Sequence, residues 1–403
     1  MGQINTSTPK GFRDFLPEQA NARQFVVGKI IETFRLFGFE PLETPALEFA
    51  ETLNGKYGEE EKLIYEFETK GGDKVALRYD QTVPLARVAA QYPDLPKPFK
   101  RYQIQPVWRG ENPQKGRFRE FLQCDIDNVG SSSPLSDAEI IACALSVAKN
   151  LGFQSSFMEI NDRTNFGNLE SKYVSAIDKL KKIGEDGVIE ELVSKGLPKN
   201  DATMILDSIR VKQPNENLRQ IFQFLEQMGF KEGEDFKFSP TLARGLDYYT
   251  STVFELVTPE SNNSLAGGGR FDKLIGRYSG VDTPAVGISF GFDRIVEVMS
   301  ELQLLPKLSS SAKVLVTVFS PDLLDKSLEI GSLLRSGNIN TEVWLDPESK
   351  LDKQLKYADQ KGIPYVLIIG PEEAEKGTVT LKNLTDKTQK TFPLDELASK
   401  LSS

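Results

Sequence analysis

Residues 96–130 read PKPFKRYQIQPVWRGENPQKGRFREFLQCDIDNVG. Two strand-like runs, FKRYQIQPVWRG and FREFLQCDIDNVG, flank a segment carrying Pro113, Lys115 and Gly116, so the stretch reads as strand, loop, strand. Between Pro96 and Arg119, seven Lys or Arg stand against one acid, Glu111, although the whole chain has a net charge of −9. Charge alone would fit an edge hairpin guarded by basic residues. The placement goes further, because Arg109 and Glu111 alternate on one face and Arg117 stands four before Phe121. Guanidiniums pair phosphates bidentately, a ring stacks on a base, and a carboxylate accepts from an amino group. That face suits a bent nucleoside triphosphate.

Upstream, residues 19–36 have apolar positions at near-helical spacing, and Gly38 stops that helix. FEPLETPALE then reads as extended chain broken by Pro41 and Pro45. LIYEFET and KVALRYD alternate as half-buried antiparallel strands do. Helices are expected near 83–91 and 135–150, the latter with Ser136 and Glu139 in capping-box spacing. Downstream, 164–230 is rich in Lys, Glu, Leu and Ile and reads as a helical insertion. Strand-like sequence returns over 231–303, and a Ser- and Pro-containing linker covers 304–312. Strands alternating with helices over 313–403 argue a separate α/β domain. The fold class expected is α+β over 1–163 and 231–303, an antiparallel sheet flanked by helices, with the helical insertion between and the α/β domain at the end.

At about 150 residues per domain, 403 residues suit two or three domains. Only Cys124 and Cys143 occur, too few for a disulfide framework, and there is no His at all. Ser-His-Asp or Cys-His catalysis and His-containing metal sites are thereby excluded. No run approaches the roughly 18 apolar residues of a membrane span, and the first residues lack the apolar core of a signal peptide. The expectation is a soluble, cytoplasmic protein with no membrane partner.

The hairpin resembles motif 2 of the class II aminoacyl-tRNA synthetases: Arg-x-Glu, a loop, then Arg-x-x-x-Phe. AVGISFGFDRI at 285–295 is similar to motif 3, and FGFEPLETPALE to motif 1. Three further segments resemble the histidyl-tRNA synthetase family within that class. They are ARGLDYYTSTVFE at 243–255, LRYDQTVPLAR at 77–87 and AGGGRFDKLIG at 266–276.

The resemblance implies a histidine–tRNA ligase working as a homodimer. Such an enzyme makes histidyl-adenylate and pyrophosphate from L-histidine and ATP, then charges tRNA(His). It implies catalytic roles for Arg244 and Arg109 at the α-phosphate. Glu111, Phe121 and Arg294 would hold the adenine, and Arg117 with Arg294 the distal phosphates. The histidine pocket would comprise Asp80, Gln81, Thr82, Arg109, Gln123, Asp127, Arg244, Tyr248 and Tyr249. Asp127 and Tyr249 would meet the imidazole, while Asp80, Thr82 and Gln123 would surround the ammonium. Gln114 would touch the tRNA acceptor end, and 313–403 would bind the anticodon. Mg²⁺ is expected to arrive with ATP, and no metal ligand is assigned to the protein. The nucleophile is a carboxylate already ionised at neutral pH, so the missing His is no obstacle. Two non-catalytic readings compete, a regulatory paralogue and a sensor of uncharged tRNA. The retained Arg109, Arg244 and Arg294 count against both, and the stretch 313–403 counts against the paralogue.

Overall fold

The computed structural model describes residues 4–113, 117–244, 248–261, 263–306 and 310–402. The chain divides into one compact unit of Met1–Asp14 with Val26–Leu305 and another of Phe15–Phe25 with Pro306–Ser403.

An eight-stranded sheet floors the first unit. Across it run Glu40–Pro41, Phe99–Trp108, Glu120–Val129, Ala285–Gly291, Ala266–Arg270, Thr252–Val257, Phe157–Asp162 and Phe236–Phe238. The expected hairpin is present, in register from Phe99 opposite Val129 to Trp108 opposite Glu120. The six middle strands are antiparallel to one another. The two marginal strands run parallel to their neighbours, so the expected antiparallel sheet carries a parallel strand at each edge. Parallel pairing needs a long crossover. The chain between Pro41 and Phe99 supplies one, and the helical segment between Asp162 and Phe236 the other.

The helix Pro17–Leu36 buries Val26, Ile30 and Phe34. Phe34 packs its ring against Tyr102 and Phe290 of the sheet at 5.7 and 5.8 Å. Gly38 ends this helix at φ +72°, a backbone conformation other residues rarely adopt. The other long helix, Pro134–Asn150, begins differently from expectation. Its cap is Ser133, which accepts from the Leu135 N–H at 3.3 Å, while Ser136 lies buried inside the helix. Pro134 decides this, since its fixed φ and missing N–H favour the first helical position.

LEF, KVAL and EFE form a separate three-stranded sheet of Leu47–Phe49, Lys74–Leu77 and Glu66–Glu68. Helix Thr82–Gln91 follows it. Within 164–230 lie the helices Ser171–Ile177, Leu180–Ser194, Lys199–Arg210 and Glu216–Gln227. The first three share a core that includes Tyr173, Val188, Leu192 and Leu206. The fourth packs instead on Pro134–Asn150.

The second unit has a five-stranded sheet in the order Thr341–Val343, Val314–Val316, Tyr365–Ile368, Thr378–Asn383, Thr388–Pro393. Alternation along VLV sends Val314 and Val316 to one face, against Ile330, Leu334 and Leu397. Leu315 goes to the other face, against Ala358 and Ile363. Helices thus cover both faces, as the α/β expectation requires. Among the described residues, no helix is long and apolar enough to cross a membrane.

Candidate active site

A cavity of about 440 Å³ opens on the first unit's sheet. Strand Glu120–Val129 lays Phe121, Gln123, Asp125 and Asp127 along it, every second residue, so one face of one strand lines the cavity. Phe121 and Asp127 lie six residues apart, roughly 20 Å at ~3.3 Å per residue.

The aromatic end is cationic. Arg109 lies with its guanidinium carbon 4.4 Å from the Tyr79 ring centre and 5.1 Å from that of Phe121. Its Nε donates to the Tyr79 carbonyl at 3.2 Å. Arg117 pairs with Glu111 at 3.3 Å and remains exposed. Arg294 donates to the Ser264 carbonyl at 2.5 Å. Burial, and next the like charge of Arg117, pull the Arg294 pKa below its ordinary value. Two guanidiniums repelling each other across a cavity make a site for an anion.

The other end is anionic. Burial pushes Asp127 up to about 7, opposed by Arg101 and assisted by Asp125 and Asp80. Burial also raises Asp125 to about 6, against the pull of Arg101. Asp80 is raised by burial too, although Val83 N–H and the Tyr57 hydroxyl donate to its Oδ1, each at 3.0 Å. Gln123 donates to Asp125 at 2.9 Å. The Gln123 side-chain oxygen Oε1 and Asp125 Oδ1 are buried with no hydrogen-bond partner among the described residues. Such orphaned acceptors suit an ammonium or a ring N–H.

Three glycines make room for the cavity's side chains. A Cβ at Gly287 would overlap the Asp127 carboxylate, with Cγ at 2.5 Å. One at Gly269 would meet the Tyr249 ring at 2.8 Å, and one at Gly267 would overlap the Arg244 guanidinium. Gly267 stands opposite Glu255 on the neighbouring strand. Arg244 lies over that gap and pairs with Glu255 at 2.7 Å. Tyr248 and Tyr249 meet edge to face at 4.9 Å. They precede strand Thr252–Val257 and turn into the cavity.

The structure therefore brings Asp80, Thr82, Arg109, Glu111, Arg117, Phe121, Gln123, Asp127, Arg244, Tyr248, Tyr249 and Arg294 to one cavity. Gln81 is not on its wall. It is fully buried, and its amide donates to the carbonyls of Gln105 at 2.8 Å and Gln123 at 3.2 Å, tying two strands together. Gln114 lies outside the described residues.

Sequence reasoning missed several participants. Arg101, with no exposed surface, pairs with Asp127 at 2.7 Å. Counting back from the loop would have found it, because the hairpin register places Arg101 opposite Asp127. Alternation from Asp127 would likewise have found Asp125. Asp178, which also lines the cavity, comes from the helical insertion and carries no such signal.

Comparison with known proteins bears on both units. Residues 11–295 match the family model described as histidyl-tRNA synthetase, and 313–403 match the anticodon binding domain. A histidine–tRNA ligase of Gloeobacter violaceus is 39% identical, over 98% of this chain and 97% of that protein. Another, of Aeropyrum pernix, is 39% identical over 96% of each. The crystal structure of a histidyl-tRNA synthetase from a Nostoc species superposes with a TM-score of 0.85 at 30% identity, covering 99% of both chains. Matches of that extent, running through both units, make the chain a member of the histidyl-tRNA synthetase family.

Proposed function

We propose that the chain is a histidine–tRNA ligase, which joins L-histidine to ATP as histidyl-adenylate and then passes histidine to the 3′ end of tRNA(His). The observation that carries this reading is one cavity holding orphaned buried acceptors at one end and mutually repelling guanidiniums at the other.

In the first step a histidine carboxylate oxygen attacks the α-phosphorus of ATP. The bond to the bridging oxygen breaks, and pyrophosphate leaves with the electron pair. Both reactants are anions, so the chain's task is to bring them together and neutralise charge building on the phosphoryl oxygens. Arg109 and Arg244 take that role. Arg117 and Arg294 hold the departing phosphates, Mg²⁺ entering as part of the MgATP substrate. Phe121 and Arg294 sandwich the adenine, and Glu111 accepts from its amino group. At the far end, Asp80, Thr82 and Gln123 receive the ammonium, while Asp127 and Tyr249 bracket the imidazole. An apolar isostere would leave those groups unpaired, which disfavours it strongly. Gln81 supports this pocket from behind, and Tyr248 fixes Tyr249.

We also infer a homodimer and a cytoplasmic location. Support for the dimer comes from exposed Leu47, Phe49 and Phe67, which share one face of the small sheet. Sedimentation of the chain and of Phe49→Glu checks it. The proposed division is a catalytic domain over 1–163 and 231–303, an insertion over 164–230, a linker over 304–312 and an anticodon domain over 313–403. Gln114 is assigned to the acceptor end of tRNA.

ATP–pyrophosphate exchange with each amino acid in turn tests the central reading. Exchange with histidine alone is expected. A folded protein exchanging with none would move the assignment to a regulatory or sensing paralogue.

A further inference from the structure

The cationic end of the cavity is backed by the N-terminal segment. Arg13 lies with its guanidinium carbon 3.2 Å from the Phe118 ring centre and donates to Asp293 Oδ1 at 3.0 Å. Phe118 and Asp293 both line the cavity, whereas Arg13 does not. The two come from separate elements. Phe118 follows Arg117 on the return arm of the hairpin, and Asp293 sits in the first turn of helix Phe292–Glu301, next to Arg294. The segment itself is fastened to the hairpin. The Arg119 backbone N–H donates to the Gly11 carbonyl at 2.9 Å, and its side chain donates to the Lys10 and Glu111 carbonyls at 3.4 and 2.9 Å. Gly11, at φ +90°, lets the chain come this close, since a Cβ there would stand 2.8 Å from Arg119 Cγ and 2.9 Å from Pro113 Cγ.

We infer that residues 9–14 form a strap behind the cationic end and that Arg13 is its positioning residue, setting the distance between Phe118 and Asp293 and so the seat that ATP occupies. The inference rests on the ligase reading above. Its physical basis is the shape of the guanidinium, which offers a flat face to a ring and an edge to a carboxylate at the same time. An ammonium is a point charge and cannot hold both in one plane. Arg13 and Asp293 keep 28% and 12% of their side-chain surfaces exposed, so the pair is screened less than an open one. The groups assigned to the nucleotide stand on the two elements that Arg13 joins. Arg117 and Phe121 flank Phe118 in sequence, and Arg294 follows Asp293. A slip between the elements would misplace all three. Asp125 and Asp127, towards the other end of strand Glu120–Val129, would keep their register. Loss of Arg13 is therefore felt by ATP and not by histidine.

Histidine-dependent ATP–pyrophosphate exchange on the full chain tests the inference, with KM measured separately for ATP and for histidine. Arg13→Ala is expected to raise the ATP KM about tenfold, the loss of roughly one coupling interaction, and to leave the histidine KM within about twofold. Arg13→Lys, which keeps the charge and loses the flat face, should recover only part of the affinity for ATP. Arg13→Gln replaces Ala should that variant fail to fold. Asp293→Asn should raise the ATP KM also, and adding it to Arg13→Ala should give less than the product of the two single effects. An unchanged ATP KM in the folded variant overturns the inference. An equal rise in both constants overturns it too, marking a general loosening. A double variant at the full product would make Arg13 and Asp293 independent and overturn it as well. Absence of exchange in the wild type would instead overturn the ligase reading, so the two failures are told apart.

Discussion

Replacing Arg101 by Met should cost the first unit stability in a way that depends on pH. Arg101 is fully buried and lies 2.7 Å from Asp127. It also donates to Gln103 Oε1 at 3.3 Å and the Gln81 carbonyl at 3.2 Å. Three buried carboxylates, Asp80, Asp125 and Asp127, depend on it as a counter-charge. Removing one partner of a buried ion pair costs about 3–5 kcal/mol. The sign with pH follows from linkage. Burial pushes Asp127 up to about 7 and Asp125 up to about 6, above the ordinary aspartate value of 3.8. The native state therefore binds more protons than the unfolded chain between about pH 4 and 7, and these groups make stability fall as pH rises through that window. Arg101 offsets that fall, because it lowers both pKa values. Without it the native pKa values climb further and the penalty is largest when the carboxylates are ionised. At pH 8 we expect a loss of about 4 kcal/mol, or on the order of 10 °C in melting temperature. At pH 5.5 Asp125 and Asp127 are largely neutral, and the loss should shrink to about 1–2 kcal/mol, the worth of the two hydrogen bonds. Calorimetry at the two pH values decides it. An equal loss at both would refute the electrostatic account, and a loss below about 1 kcal/mol at pH 8 would refute the counter-charge role altogether.

Other outcomes follow from the same geometry. Arg244→Ala should reduce pyrophosphate exchange by at least about 10²-fold, as loss of a transition-state donor does, with little change in melting temperature. Gly287→Ala sets a Cβ against the Asp127 carboxylate, with Cγ at 2.5 Å and the Ile126 carbonyl oxygen at 2.8 Å. The KM for histidine should rise far more than that for ATP, and equal changes would place the collision elsewhere. Gly28→Ala, by contrast, meets nothing within 4 Å inside an exposed helical position. It should raise stability by about 0.5–1 kcal/mol in a denaturant titration, through the restricted unfolded chain.

How far the sequence could be read depended on the range of the interactions involved. The hairpin was legible because alternation, turn residues and basic clustering all lie within 35 residues (96–130), and its faces follow from a period of two. The cavity's membership was legible through motif resemblance, and twelve of those residues do converge. Gln81 differs because its neighbours Asp80 and Thr82 turn into the cavity while its own amide finds two backbone carbonyls behind it. Arg101 sat among seven basic residues, and only the register separates a buried counter-charge from a solvated Lys. Asp178 and Glu255 were invisible for another reason. Asp178 reaches the cavity from the insertion and Glu255 pairs with Arg244 from a strand, tertiary events that no local period encodes. The parallel edges were missed likewise, being strands of two and three residues whose direction is set by the crossovers.

The strand Glu120–Val129 also explains why one cavity can serve both substrates of the proposed reaction. Phe121, Gln123, Asp125 and Asp127 share a face because side chains alternate, so their order along the cavity cannot change without flipping them all. Neighbouring strands lock that register on both sides. Asp127 stands opposite Arg101 in one and Gly287 in the other, the first supplying charge and the second supplying space. The roughly 20 Å from Asp127 to Phe121 is longer than an amino acid alone and leaves room along the strand for a nucleotide beside it. In the proposed reaction each reactant would take its own end, with the carboxylate and α-phosphate meeting between them within reach of Arg109 and Arg244, which line the same cavity. Proximity then comes from the strand's rise per residue, a rigid quantity, and the arginines need only answer the charge that develops. Such an arrangement requires no proton-transferring side chain at its centre, which is consistent with a chain that contains no histidine of its own.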